Sequence, residues 1–349
     1  MARDFVADTL REFVAVESTP EAGPQEILQR VASEVRDLGL RPRIDRRLGT
    51  ITAAHGRGGV LFNGHLDTVP VGSGWTVKPG TLRGGRLYGR GTADMKAGCV
   101  AALAAAKNLL EKDVPFSLLF TTDEETTMDS AKAVMATPLI HDAAAVVVGE
   151  PSSLVPFVVE KGVYWFDAIA SGRAAHGSLP HLGENAILKM GRLLDRVARY
   201  SRPRDPVREL TVNVGRVYGG TKTNVVADAC TAELDVRYPP RMRPEQVRVL
   251  VRRLAGRDLR LVERHHVPAA RIDPRSRPIR LLAKLAGTRP GAVTFATEMA
   301  WYSRHNPRCV VFGPGSPAQC HVANEFVPLA EVRRCARIYA AFASAMASQ

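Results

Sequence analysis

The chain has 349 residues, 45% hydrophobic and 24% charged, which is the composition of an ordinary globular protein with length enough for two domains. No apolar run approaches the roughly 18 residues of a membrane-spanning helix, so no membrane partner is expected. The net charge of +13 is spread along the chain and aromatics are sparse at 6%, which argues against a nucleic-acid partner.

In chain order, the opening MARDFVADTLREFVAVES mixes acids into an amphipathic pattern. It predicts a first helix and not a secretion signal, and the expected address is cytoplasmic. QEILQRVASEVRDLG predicts a second helix. GGVLFNGHLD (58–67) is an apolar strand running into polar residues, and MKAGCVAALAAAKNLLEK (95–112) is an alanine-rich helix suited to close packing. PFSLLFTTDEE, DSAKAVMATPLI and AAAVVVGEP then read as strand, helix and strand. Fully apolar strands alternating with helices predict an α/β sheet covered on both faces.

The pattern then changes. VYWFDAIASG, ELTVNVGRVYGG and CTAELDVRYPP alternate as half-exposed strands do, and LRLVERHHVPA reads as a further strand. ENAILKMGRLLDRVARY and RPEQVRVLVRRLAG are amphipathic helices. The arginine-dense stretch 237–258 reads as the solvated face of the second of these. The α/β pattern resumes with RPIRLLAKLAG, PRCVVFGPGS and the final helix LAEVRRCARIYAAFASAMA. The expected organisation is one domain built from 1–160 and 273–349, interrupted by an inserted α+β domain at 161–272. The five scattered cysteines form no CxxC pair and are expected to be reduced and mostly buried. Cys320, beside His321, is also read as packing.

Chemistry-bearing residues collect where strands end, the usual place for an active site in such a sheet. These are His65 and Asp67 in NGHLDTVP, Asp94 in GRGTADMKAG, Asp123, Glu124 and Glu125 in TTDEETT, Glu150 in VVVGEPSS and His321 in GPGSPAQCHVANE. Each has an ordinary reading: Asp67 as a turn cap, the DEE run as a solvated helix start, Glu150 as a loop acid. Together, at successive strand ends, they point to metal. Two imidazoles with several carboxylates suit zinc, and more carboxylates than one tetrahedral ion needs suggest two ions sharing a bridging carboxylate.

From about Asn63 to the C-terminus, GHLDTVP, GRGTADMK, DEE, GEPS, AAHGSLPHLGENAI and GPGSPAQCHVANEFV occur in family order. The chain thereby resembles the co-catalytic zinc amidohydrolases that include acetylornithine deacetylase, succinyl-diaminopimelate desuccinylase and aminoacylase. The resemblance implies a catalytic domain with an inserted lid that also makes a homodimer, and two zinc ions per chain, replaceable by cobalt. His65, Asp94 and Glu150 would hold one ion, and Asp94, Glu125 and His321 the other, with Asp94 bridging and followed by a cis peptide bond to Met95. Asp67 would orient His65, Glu124 would be the general base, and Asp123 would shape the turn. His176 would stabilise the oxyanion across the dimer, whereas His181 is a weaker candidate. Asn224 and Arg237 would contact the substrate, Arg237 by pairing bidentately with the substrate's α-carboxylate, and Gly315 and Ser316 would line a donor loop. His265 and His266, outside any motif, are read as surface or packing residues.

GTADMK, TTDEETTMDSA, FATEMAWYS with its Thr-Glu pair, and GPGSPAQCH resemble the acetylornithine deacetylase branch. The expected activity is therefore hydrolysis of an N-acyl amino acid of the acetylornithine type. A desuccinylase, or another N-acyl amino acid or dipeptide hydrolase, is the near alternative. A non-catalytic protein that binds through its basic surface is the distant one.

Overall fold

The structure is a computed structural model that describes residues 4–348. It divides into two compact units: residues up to Val158 with Ile272–Gly291 and the chain from Thr297 onward, and Val159–Arg271 with Ala292–Ala296. The short Ala292–Ala296 piece returns to the second unit, which the sequence pattern does not reveal. No helix among the described residues is long and apolar enough to cross a membrane.

The first unit is built on a mixed sheet. Six of its strands run in the order Arg43–Asp45, Thr50–His55, Phe116–Thr121, Val60–His65, Ala145–Val148 and Cys309–Val311. Phe116–Thr121, Val60–His65, Ala145–Val148 and Cys309–Val311 are mutually parallel. Val60–His65 is buried at every position, because both faces are covered. Phe62 packs on Tyr339 of the helix Leu329–Ala347, with ring centroids 4.7 Å apart. The next side chain, Asn63, reaches Glu298 and Tyr302 beside the short helix Met299–Tyr302. Alternation along one strand thus serves helices on opposite faces.

The alanine-rich prediction is a helix over Lys96–Glu111. Its small residues have a use: a Cβ on Gly98 would lie 2.1 Å from the Gly149 carbonyl oxygen, so only glycine lets this helix start so near the strand end before Glu150. The first predicted helix begins at Phe5, capped by Asp4, and residues 1–3 of that prediction lie outside the described residues. DSAKAVMATPLI is not one helix but two, Asp129–Val134 and Pro138–His141. Thr137, before Pro138, is extended, because proline's ring crowds a helical residue in front of it.

The second unit is a four-stranded antiparallel sheet in the order Thr211–Gly219, Ala229–Tyr238, Gly162–Ser171, Leu259–Val267. Alternate side chains Tyr164, Phe166 and Ala168 bury against Met190 and Leu193 of the helix Ala186–Ala198 and Val247 and Val251 of the helix Pro244–Ala255. Asn185 caps the first of these helices through the N–H groups of Ile187 and Leu188, and Gly256 closes the second at φ +74°.

Candidate metal centre

The parallel register aligns the strand ends. His65 lies opposite Thr121, Asn63 opposite Val148, and Val148 opposite Val311. The segments that leave these strands therefore carry His65, Glu124 with Glu125, Glu150 and the 313–321 loop to one edge of the sheet. Asp94 enters from the turn before Lys96–Glu111, and its peptide bond to Met95 is cis.

At that edge Asp94 lies between two imidazoles. Its Oδ1 is 3.1 Å from His65 Nε2 and its Oδ2 is 3.2 Å from His321 Nε2. Glu150 Oε1 is 3.6 Å from His65 Nε2, and Glu125 Oε1 is 2.8 Å from His321 Nε2. Glu124 Oε2 stands 4.0 Å from His65 Nε2. Distance alone therefore does not separate Glu124 from the ligand candidates. His65, Glu124 and Glu150 form one close group of donor atoms, and His65, Asp94 and Glu125 another. The two histidines differ in surroundings: His65 is buried at 1% exposure, whereas the His321 side chain is 51% exposed.

The electrostatics favour a cation. Burial acts against a charged His65, but Glu150, Asp67 and Asp94 outweigh it and raise its pKa well above the ordinary imidazole value. Hydrogen bonds to Asp94 and Glu125 raise His321 to about 10. Burial pushes the Glu124 carboxyl well up, reinforced by Glu150, and pushes Glu150 to about 7. Carboxylates this crowded in a desolvated cleft are costly unless positive charge lies among them. The N/O donor set, split around a carboxylate that faces both ways, fits two divalent ions.

Neighbouring acids hold this arrangement. The Asp67 carboxylate accepts the backbone N–H of Glu124 at 3.3 Å and of Glu125 at 3.0 Å, and its Oδ1 lies 3.5 Å from His65 Nδ1. Asp123 turns away from the cluster to accept the Ser130 N–H at 3.0 Å and the hydroxyls of Ser130 and Thr127. The triplet thus divides between one turn-forming acid and two that face the cleft.

The remaining sequence candidates are placed as follows. His176 and Asn224 adjoin one another in the second unit: His176 bridges to Val225, and the Gly177 N–H donates to the Asn224 carbonyl at 2.8 Å. Both are exposed. The Arg237 guanidinium is already forked onto Asp235 at 2.8 and 3.0 Å. Gly315 and Ser316 lie in the loop that follows the strand Cys309–Val311. The Gly315 N–H donates to Glu331, and Ser316 Oγ accepts the Ala318 N–H to start a short 3-10 turn. His181 is exposed on another such turn. His266 faces the Tyr238 hydroxyl and lies tilted against the Tyr164 ring, and His265 packs on Trp165. Burial pushes the Cys320 thiol up, away from the reactive thiolate.

Two buried residues, Arg90 and Glu325, escape the sequence reading, and Glu298 enters it only as half of the Thr-Glu pair. Arg90 and Glu325 lie inside quoted motifs, but a charged residue in a motif looks the same whether it faces solvent or another charge.

Peptidase family M20/M25/M40 matches this chain over residues 61–345. Acetylornithine deacetylase of Myxococcus xanthus is 32% identical over 304 residues, 82% of this chain and 79% of that protein. Acetylornithine deacetylase of Salmonella arizonae is 31% identical over 342 residues, 90% of this chain and 88% of that protein. Among solved structures, an M20 family metallo-carboxypeptidase from Sulfolobus solfataricus superposes with a TM-score of 0.83 at 18% identity, covering 99% of this chain and 100% of that one. A dinuclear metal binding peptidase of the M20 family from Bacillus subtilis superposes with a TM-score of 0.73 at 14% identity, covering 98% and 97%.

Proposed function

We propose a division of roles among these residues from one premise: the chain belongs to peptidase family M20/M25/M40 and is a metal-dependent hydrolase of the amide bond in N-acyl amino acids. The observation that carries the assignment is Asp94, with one oxygen toward His65 and the other toward His321. His65, Asp94 and Glu150 hold one ion, and Asp94, Glu125 and His321 hold the other. Zinc suits these donors, and cobalt can replace it. When bound, the ions supply Lewis acidity toward the scissile carbonyl and acidify water.

The chain's own residues do the rest. Glu124, close to the ligands but in neither ligand set, takes a proton from water and delivers it to the departing amine. Asp67 holds the backbone of both cleft-facing glutamates and orients His65. His176 donates to the oxyanion that develops on the acyl carbon, and Asn224 assists from the adjoining loop. Arg237 receives the substrate carboxylate by sharing or releasing its fork with Asp235.

The second unit serves as lid and dimerisation domain, so that His176 of one chain completes the site of its partner. Exposed apolar side chains on this unit support that role: Leu179, Leu182, Ile187, Leu188, Val217 and Tyr218. The substrate is an N-acetyl amino acid of the acetylornithine type, the activity named for both relatives above. Turnover of the zinc- or cobalt-loaded protein against N-acetylornithine, other N-acetyl amino acids, N-succinyl-diaminopimelate and dipeptides tests this. Preference for N-acetylornithine supports the assignment. Faster cleavage of the succinyl compound or a dipeptide replaces it, and no cleavage at all favours a binding protein.

A further inference from the structure

Asp94 faces both imidazoles, and one buried acid governs where its backbone lies. Glu325 is 0% exposed. Its Oε1 accepts the N–H groups of Ala93 at 2.8 Å and Asp94 at 3.2 Å, and its Oε2 accepts from Arg90 Nη1 at 2.6 Å. A short antiparallel ladder brings it there. Phe326 pairs with Tyr88, and the Gly89 N–H donates to the Glu325 carbonyl at 2.9 Å. Arg90 is itself 7% exposed; its Nη2 donates to the Val71 carbonyl and its guanidinium lies over the Trp75 ring.

The neighbouring Asn324 makes a second tie. Its Oδ1 accepts the N–H groups of Thr76 and Val77, each at 2.9 Å, and its amide donates to Thr76 Oγ1. Asn324 and Glu325 follow His321 by three and four residues. Through Glu325, the segment bearing one candidate ligand is fastened to the segment bearing the bridging one. An acid needed only to neutralise Arg90 would have no reason to spend its other oxygen on two backbone N–H groups.

We infer that Glu325, braced by Arg90, is the positioning residue of the bridging carboxylate. By accepting the Ala93 and Asp94 N–H groups it fixes the distance from Asp94 to both imidazoles and so sets the affinity of the metal site. The inference rests on the two-ion reading above.

The test separates the acceptor from the charge. In Arg90→Met/Glu325→Gln the ion pair is gone, but the glutamine oxygen still accepts both N–H groups. In Arg90→Met/Glu325→Leu neither remains, and no charge is left buried without a partner. Metal-free protein is titrated with cobalt chloride, followed by visible absorption, with circular dichroism as the check on folding. The Gln pair is expected to keep an apparent Kd within about threefold of wild type, whereas the Leu pair weakens it by about 10–100-fold while remaining folded. A folded Leu pair that binds cobalt as tightly as wild type overturns the inference. So does a Gln pair whose affinity drops by the same 10–100-fold, and this arm decides the matter if the Leu pair does not fold. Wild-type protein that takes up no cobalt would instead remove the two-ion reading itself.

Discussion

Glu124 and Glu125 are consecutive in the chain yet address different imidazoles. Glu124 Oε2 lies 4.0 Å from His65 Nε2, and Glu125 Oε1 lies 2.8 Å from His321 Nε2. In the roles proposed above, Glu124 carries a proton and Glu125 is a ligand, and the two are separable by substitution. Glu124→Gln keeps the size and removes the base. Metal content, measured on the purified loaded protein, is expected to stay at the wild-type level while turnover drops by roughly 10²–10⁴. Near-wild-type turnover would assign the base elsewhere.

Glu125→Gln is expected to behave differently. It removes a charged donor from the His321 side, so the number of tightly held ions should drop from about two per chain toward one. Elemental analysis after dialysis gives the count. Unchanged stoichiometry and affinity in this variant would exclude Glu125 as a ligand.

His176 tests the dimer. Loss of one oxyanion donor costs about 10²–10³ in rate, so His176→Ala should lose most activity while folding and binding metal normally. Mixed with Glu124→Gln, it should recover part of the wild-type rate, because each mixed dimer rebuilds one intact site. Mixed dimers confirmed by mass spectrometry without recovered turnover would mean that His176 acts within its own chain or has no part in the reaction.

Glu298 provides a pH signature. Asn63 Nδ2 donates to its Oε2 at 2.8 Å, while Glu298 Oε1 and Asn63 Oδ1 are both buried without a partner. A proton on this carboxyl removes the cost of a buried negative charge. Burial pushes this carboxyl up to about 8, against the hydrogen bond from Asn63. The unfolded chain releases the proton near 4.5, so the stability this group contributes is fully present below that pH and is lost as pH rises toward 8. Glu298→Gln imitates the protonated acid and carries no such loss. Its stability relative to wild type, from urea unfolding in chelator at pH 5 and pH 8, should rise with pH by on the order of a few kcal/mol. A difference that does not change with pH would show that Glu298 is already ionised in the folded protein.

The α/β character and the switch to alternating strands in the middle of the chain were legible in the sequence, because side-chain periodicity reports local geometry. The polar terminations of apolar runs were legible for the same reason. His65, Glu124, Glu125 and Glu150 each follow a run too hydrophobic to be anything but covered strand, and parallel strands in register bring such ends to one edge. Proline at 138 is equally visible, yet the periodicity runs through the break and predicts one continuous helix where the fold has two.

Pairings between distant residues depended on the tertiary structure. Arg90 meets Glu325 and Asn63 meets Glu298 across 235 residues each, through strand register and helix placement that no local pattern encodes. The same holds for the Gly315 N–H, which the sequence presents as an available donor and the fold gives to Glu331. Arg237 reads as a free carboxylate clamp until the strand places Asp235 on its fork. Composition and periodicity record which side chains a segment buries. They do not record what those side chains meet, because a buried charge is specified by its partner, and the partner arrives only when the chain closes.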